Sequence, residues 1–256
     1  MRSSEEIEAV WRTFDHHPME TLTKAWWMTQ APKGMRQRSV TMMESHRKSL
    51  GTSGNCYDLT LWLLYALQEA GVEAEPVGHG WFTSRAHAAV LAKDRVGAEW
   101  LCDLGDQWIQ PVPVDAEHEA FPRKPTAGLF PGASVSLSRN GNALTVCYHR
   151  HGGKKSDQTY NLCPVDRDTF SRACAWSQDH LKKRPLLEIR IPWEKETALW
   201  EWDGNKAVLS TSRGLVRLDS PSTATHWPKQ IHDVAGIDPQ VVTKALEVYD
   251  RIRKTG

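Results

Sequence analysis

No apolar run in this 256-residue chain reaches the ~20 residues that a membrane-spanning helix needs. The opening residues, MRSSEEIEAVWRTF, are acidic and amphipathic and lack the apolar core of a signal peptide. Charge of one sign is also missing: 32 basic against 31 acidic residues leave a formal net charge of +1. Nothing in that balance points to nucleic acid or to an anionic membrane surface. Cysteine is sparse, with five residues at 56, 102, 147, 163 and 174, odd in number and without a CxxC pair. That usage suits reduced thiols in a cytoplasm better than a disulfide framework or a zinc ribbon. Also absent are internal repeats, low-complexity segments, a Gly-rich phosphate loop and a GxSxG motif.

What is present is ordinary globular material with 40% hydrophobic and 25% charged residues, long enough to bury a sizeable core. Twelve tryptophans are many for this length and are expected mostly in that core. The first part of the chain reads as helices. Ser3 to Glu6 has capping-box spacing and opens a helix to about Phe14. Further helical stretches cover residues 21–28 and 39–48. The most apolar one, 57–70, stops at Gly71. From Val72 the pattern changes to short apolar runs between turn residues, beginning with VEAEPVG, HAAVLAK and EWLCDLG. Later strands are expected in ASVSLS, NALTVCYHR, TYNL, LLEIRIPW, KETALWEWDG and KAVLSTSRG, with a short helix within 166–180. Asp238-Pro239 opens a C-terminal helix. The layout predicts an α+β fold: a helical part over 1–80, an antiparallel sheet or barrel over 81–180, and a mixed α/β lid over 181–256.

The stretch GTSGNCYDLT places Cys56 between a flexible turn and the most buried helix, with that helix starting at Tyr57 or Asp58. A sulfur there faces the unpaired N–H groups of a helix start, which favours thiolate over thiol. An ordinary packing cysteine fits the same place, so position alone decides nothing. The hairpin HAAVLAKDRVGAEWLCDLG adds what a nucleophile needs. If DRVG is the turn, paired residue numbers add up to 190 or 191, and His87 lies opposite Asp103 or Leu104. Asp103 can then fix one imidazole nitrogen and leave the other to take a proton from Cys56. Cys56, His87 and Asp103 together have the makings of a Cys-His-Asp triad.

The chain resembles the arylamine N-acetyltransferases, relatives of the transglutaminase-like cysteine enzymes. TSGNCYD is similar to the RGGxCxE motif around the family nucleophile, with Asp58 in the acidic place and the arginine missing. His87 opens a strand in RAHAAVLA, as the family histidine does, and DLGDQ at 103–107 resembles the DVGFG segment carrying the aspartate. HPMETL at 17–22 looks like PFENL, and VAGIDPQVVTKAL resembles the C-terminal FGI segment. The order Cys, His, Asp with spacings of 31 and 16 residues is the strongest part. Within DLGDQ, Asp106 stands where the family has an apolar residue. The resemblance implies a cytoplasmic acyltransferase using acetyl-CoA or another acyl thioester as co-substrate and a small-molecule amine as acceptor. The acyl group would pass through Cys56, with no tightly bound cofactor, no nucleic acid and no membrane. The acyl group, the acceptor and the oligomeric state stay open. Two rivals share the residues: a transglutaminase-like cysteine amidase or protease, and a catalytically silent relative that binds a ligand.

Two further motifs carry weaker signals. Cys147, His149 and His151 alternate along one strand and could face one side, but no fourth ligand is evident, and no metal is assigned. Lys182, Lys183 and Arg184 could receive donor phosphates, although a solvated charge run before Pro185 is the better account of them from sequence.

Overall fold

A computed structural model describes residues 5–31, 36–218 and 226–255, which leaves the expected capping residue Ser3 outside the described residues. The first four helices are α1 (Glu5–Arg12), α2 (Leu22–Gln30), α3 (Val40–Leu50) and α4 (Cys56–Glu69), with a two-residue strand β1 (Met19–Glu20) between the first two. Strands β2 (Glu73–His79), β3 (His87–Lys93), β4 (Glu99–Cys102), β5 (Val112–Pro113), β6 (Thr126–Phe130), β7 (Ala133–Asn140), β8 (Ala143–Arg150) and β9 (Lys155–Asn161) follow. Then come α5 (Arg167–Asp179), the strands β10 (Leu187–Trp193), β11 (Glu196–Trp202), β12 (Ala207–Thr211) and β13 (Gly214–Arg217), and the helices α6 (Trp227–Ala235) and α7 (Pro239–Thr255). The class is α+β, as the sequence pattern predicts. No helix among the described residues is long and apolar enough to cross a membrane.

The strands form two antiparallel sheets. Eight of them run in the order β5-β4-β3-β2-β9-β8-β7-β6 and curl into a nearly closed barrel. The other five run β1-β10-β11-β12-β13. Helix α4 packs on β2 and β3 and is buried on most sides, which is why its sequence is apolar all round rather than striped. Leu59, Leu63 and Leu67 on it are fully buried, each contributing about 2 kcal/mol by removal from water. A second core gathers Leu22, Trp200, Trp202, Trp227, Ile231, Val242 and Tyr249, and so packs α2, α6 and α7 on the smaller sheet. Nine of the twelve tryptophans are buried, as expected of a core function. Arg190 ties the two sheets: its guanidinium, 5% exposed, donates to the carbonyls of Phe14 and Trp108.

The β3–β4 hairpin differs from the expected register. Val90 faces Cys102 and Lys93 faces Glu99, so paired numbers add up to one or two more than predicted. The cause is the turn. Asp94 N–H donates to the Ala98 carbonyl at 2.9 Å, which leaves a three-residue loop with Gly97 in the left-handed region. Asp94 holds that loop by accepting from the N–H groups of Val96 and Ala98 and from the Trp100 indole. Continued past Cys102, where pairing stops, this register sets His87 across from Gly105 rather than Asp103. Strands β1 and β5 are too short to carry a periodic signal, and β6, β13 and α6 were likewise not expected.

Candidate active site

Cys56 is the first residue of α4, so the helix starts one or two positions earlier than the sequence suggests. The reason is Asn55, whose side-chain oxygen accepts the N–H groups of Tyr57 (2.9 Å) and Asp58 (3.2 Å). Asp58 answers by accepting the Asn55 N–H at 3.1 Å, completing a capping box. Such a cap contributes about 1 kcal/mol and fixes the helix start. Gly54 precedes it with φ +122°, and a Cβ there would come within 2.3 Å of the Asp58 carboxylate. TSGNCYD has no arginine of its own, but one reaches it from another segment. Arg38, 3% exposed, donates to the Ser53 carbonyl at 2.8 Å and lies 3.7 Å from Asp58. Gln37 donates to the same carboxylate at 2.9 Å.

His87 and Asp103 meet in spite of the shifted register. The imidazole Nε2 is 2.7 Å from Asp103 Oδ2. The ring spans the gap because residue 105 has no side chain. A Cβ built on Gly105 would fall 2.6 Å from Cys56 Cβ, 2.9 Å from His87 Cε1 and 3.2 Å from Asp103 Oδ1. All three expected site residues therefore converge on one glycine. Burial opposes a charge on His87, but the Asp103 and Asp106 carboxylates and contacts with Asp103 and Cys56 outweigh it. The proton affinity of His87 thus lies well above its ordinary value. Burial likewise pushes Asp103 up, while the His87 charge and hydrogen bonds from His87, Tyr160 and the Asp106 N–H pull it below the usual carboxylate range.

A second carboxylate belongs to the same network. Asp106 Oδ1 lies 3.7 Å from His87 Nε2, and Oδ2 accepts from the Tyr148 hydroxyl at 2.9 Å. The Tyr160 hydroxyl donates to Asp103 at 2.6 Å and approaches Asp106 at 3.3 Å. Burial, then the Asp103 charge, raises Asp106. Burial and both carboxylates hold the two tyrosines well above their ordinary range, so they stay proton donors. His87, Asp103 and Asp106 are the one set of three metal-ligating side chains gathered within 4.8 Å among the described residues. Their oxygens already accept several N–H and O–H groups, and the arrangement is a hydrogen-bond network. Cys147, His149 and His151 form no such set, and His149 pairs instead with the Ser136 hydroxyl at 2.9 Å. Gln107 sits in the left-handed region at φ +59°, where the DVGFG segment has glycine. Its side chain offsets the strain by donating to the Leu104 and His17 carbonyls and accepting the Arg190 N–H.

Cys56, His87, Gly105 and Asp106 open onto a cavity of about 640 Å³. Lys182, Lys183 and Arg184 lie on its wall, so the charge run reaches the site. Lys24, 7% exposed, lines it too and donates to the His180 carbonyl at 2.6 Å. Burial lowers Lys24 to about 8. Half-buried Glu188 also lines the cavity, pushed up to about 8 by desolvation and then by Asp106 and Glu201. Lys24, Tyr148, Tyr160 and Glu188 escaped the sequence reading because no local motif marks them. Asp106 alone left a trace, as a charge in an apolar place.

The Glu188 shift has a sign that can be measured. A carboxyl held above its unfolded value keeps its proton in the folded state, so stability falls as pH rises from about 4.5 toward 8. Glu188→Gln removes that loss. It is expected to raise the melting temperature at pH 9 relative to wild type and to change it little at pH 4, which calorimetry at the two values checks.

No protein-family model matches the chain, and no curated protein matches it in sequence. Solved structures do. An N-arylamine acetyltransferase of Mycobacterium smegmatis superposes with a TM-score of 0.71 at 18% identity, over 98% of this chain and 95% of its own. The Salmonella typhimurium arylamine N-acetyltransferase gives 0.70 at 14% identity over 94% and 91%. The chain has the arylamine N-acetyltransferase fold. A third structure with this fold, the Mycobacterium marinum arylamine N-acetyltransferase in complex with CoA, gives 0.67 at 13% identity over 95% and 91%.

Proposed function

We propose that the protein is an acyltransferase that moves an acyl group from a thioester, acetyl-CoA or a related donor, through acyl-Cys56 to an amine. The observation that carries this reading is the convergence of Cys56, His87 and Asp103 on Gly105, with His87 held 2.7 Å from Asp103. The CoA complex of the M. marinum fold neighbour supports a CoA thioester as donor.

In the first half-reaction Cys56 sulfur attacks the thioester carbonyl while its proton resides on His87. The tetrahedral oxyanion is met by backbone N–H. Those of Tyr57 and Asp58 are taken by Asn55, while the Cys56 N–H has no acceptor among the described residues and is the donor left at the helix start. Collapse expels the donor thiolate, which takes the His87 proton. In the second half an amine attacks acyl-Cys56, His87 accepts an amine proton, and the Cys56 sulfur leaves. Asp103 orients the imidazole and stabilises its cation. Lys182, Lys183 and Arg184 line the wall where donor phosphates would lie.

Intact-mass measurement after incubation with a panel of acyl-CoA thioesters tests the reading. The expected result is one acyl adduct, mapped to Cys56, and no adduct with any donor would overturn it. Asp103→Asn is expected to keep the fold and the hydrogen bond but admit the wrong tautomer, slowing release of free CoA thiol by roughly 10²- to 10⁴-fold. Unchanged release in that variant would remove Asp103 from the role.

A further inference from the structure

We propose that the acceptor is a cationic alkylamine, bound as its ammonium between Asp106 and Glu188. This deepens the acyltransferase reading and rests on it only for the chemistry of transfer. Both carboxyl groups line the cavity onto which Cys56 and His87 open. The Glu188 carboxyl makes no hydrogen bond or ion pair among the described residues, while its backbone pairs in the sheet. Across the strand pair it faces Glu201, which is engaged with the Ser210 hydroxyl, and on the other side it faces Met19. Two ionised carboxylates directly opposite on a sheet are unfavourable, which helps to keep the proton on Glu188, and no ion pair among the described residues relieves the pair. Lys24 is spent on the His180 carbonyl. Lys182, Lys183 and Arg184 form no ion pair with either carboxylate.

The balance of charge around the nucleophile points the same way. Asp103 alone suffices to match an imidazolium, so Asp106, 3.7 Å from the ring, is surplus negative charge. Lys24, Lys182, Lys183 and Arg184 share the cavity wall but make no ion pair with Asp106 or Glu188 among the described residues, and an ammonium between the two carboxyl groups makes charge-assisted hydrogen bonds to both. A neutral arylamine supplies none, and finds a carboxylate where DVGFG would offer an aromatic face. The proton balance closes. Binding of the ammonium first displaces the proton of Glu188 to solvent; the ammonium then gives one proton to that carboxylate, and the resulting amine attacks the acyl-Cys56 carbonyl. Its second proton passes to His87 as the C–S bond breaks, leaving an amide, a Cys56 thiolate, an imidazolium and a protonated Glu188.

The test uses the full chain acylated on Cys56, with n-pentylamine and aniline as competing acceptors at pH 7.5. Deacylation by n-pentylamine is expected to be at least tenfold faster, and Glu188→Gln should cut that ratio at least fivefold. A ratio below ten, or a smaller loss in Glu188→Gln, overturns the proposal. Titration of the unacylated protein with n-pentylammonium, followed by calorimetry, keeps the question separate from transfer. Saturable binding that Glu188→Gln weakens at least fivefold supports the ammonium site even if no thioester acylates Cys56, an outcome that would sink the acyltransferase reading alone. Absent binding, or binding that survives the substitution, overturns the site.

Discussion

Cys56→Ala is expected to abolish covalent acylation by every thioester, because it removes the one sulfur that faces His87 and opens onto the cavity. The effect is all-or-none rather than graded, since a group that forms the covalent bond has no substitute. The fold should survive. Cys56 is the first residue of its helix, the cap is made by Asn55 and Asp58, and neither uses the sulfur. Cys102→Ala is the matched control. That thiol is 1% exposed, and burial drives it far up its titration range, so it is inert and packs in the barrel core. Its loss should cost stability, about 1 kcal/mol for a small buried group, and leave the adduct in place. Intact-mass spectra of both variants decide the matter. An adduct on Cys56→Ala with none on Cys102→Ala would show that the nucleophile lies elsewhere.

Gly105→Ala should come next in severity, though glycine carries no chemistry. The added methyl would sit 2.6 Å from Cys56 Cβ and 2.9 Å from His87 Cε1, and these are not flexible chain ends. Cys56 Cβ is fixed by the helix start, and the His87 ring is fixed by Asp103. Something must give, and the step at risk is proton transfer between sulfur and imidazole, which tolerates little displacement. Acylation is expected to slow by about 10²-fold or more, against a stability loss of about 1–3 kcal/mol for overpacking. Gly97→Ala, in the open hairpin turn, would meet only the Lys93 side chain at 3.9 Å and strain one φ angle. It should leave acylation near wild type. Stopped-flow acylation rates and melting curves for the two variants test this, and equal acylation rates would show that Gly105 is not the pivot.

The amino-acid pattern alone carried the class of fold. Helical periodicity followed by short apolar runs placed four N-terminal helices, nine of the strands in outline, α5 and α7, because each is written in local spacing. It also singled out Cys56, His87 and Asp103, since a helix start and a hairpin are local features that bring chemistry to known places. The register that joins them was not legible. A three-residue turn held by Asp94 instead of a tighter one moves the pairing, and only the folded chain brings His87, Cys56 and Asp103 together around Gly105. Neither was the second carboxylate network, because Tyr148 and Tyr160 reach Asp106 and Asp103 from strands more than forty residues away. Arg38 reaches Ser53 and Asp58 from another segment, and Glu188 arrives from a different sheet. Such contacts leave no periodic trace in the chain. They exist only where packing of α4 between the barrel and its neighbouring helices fixes distance, burial and charge at once.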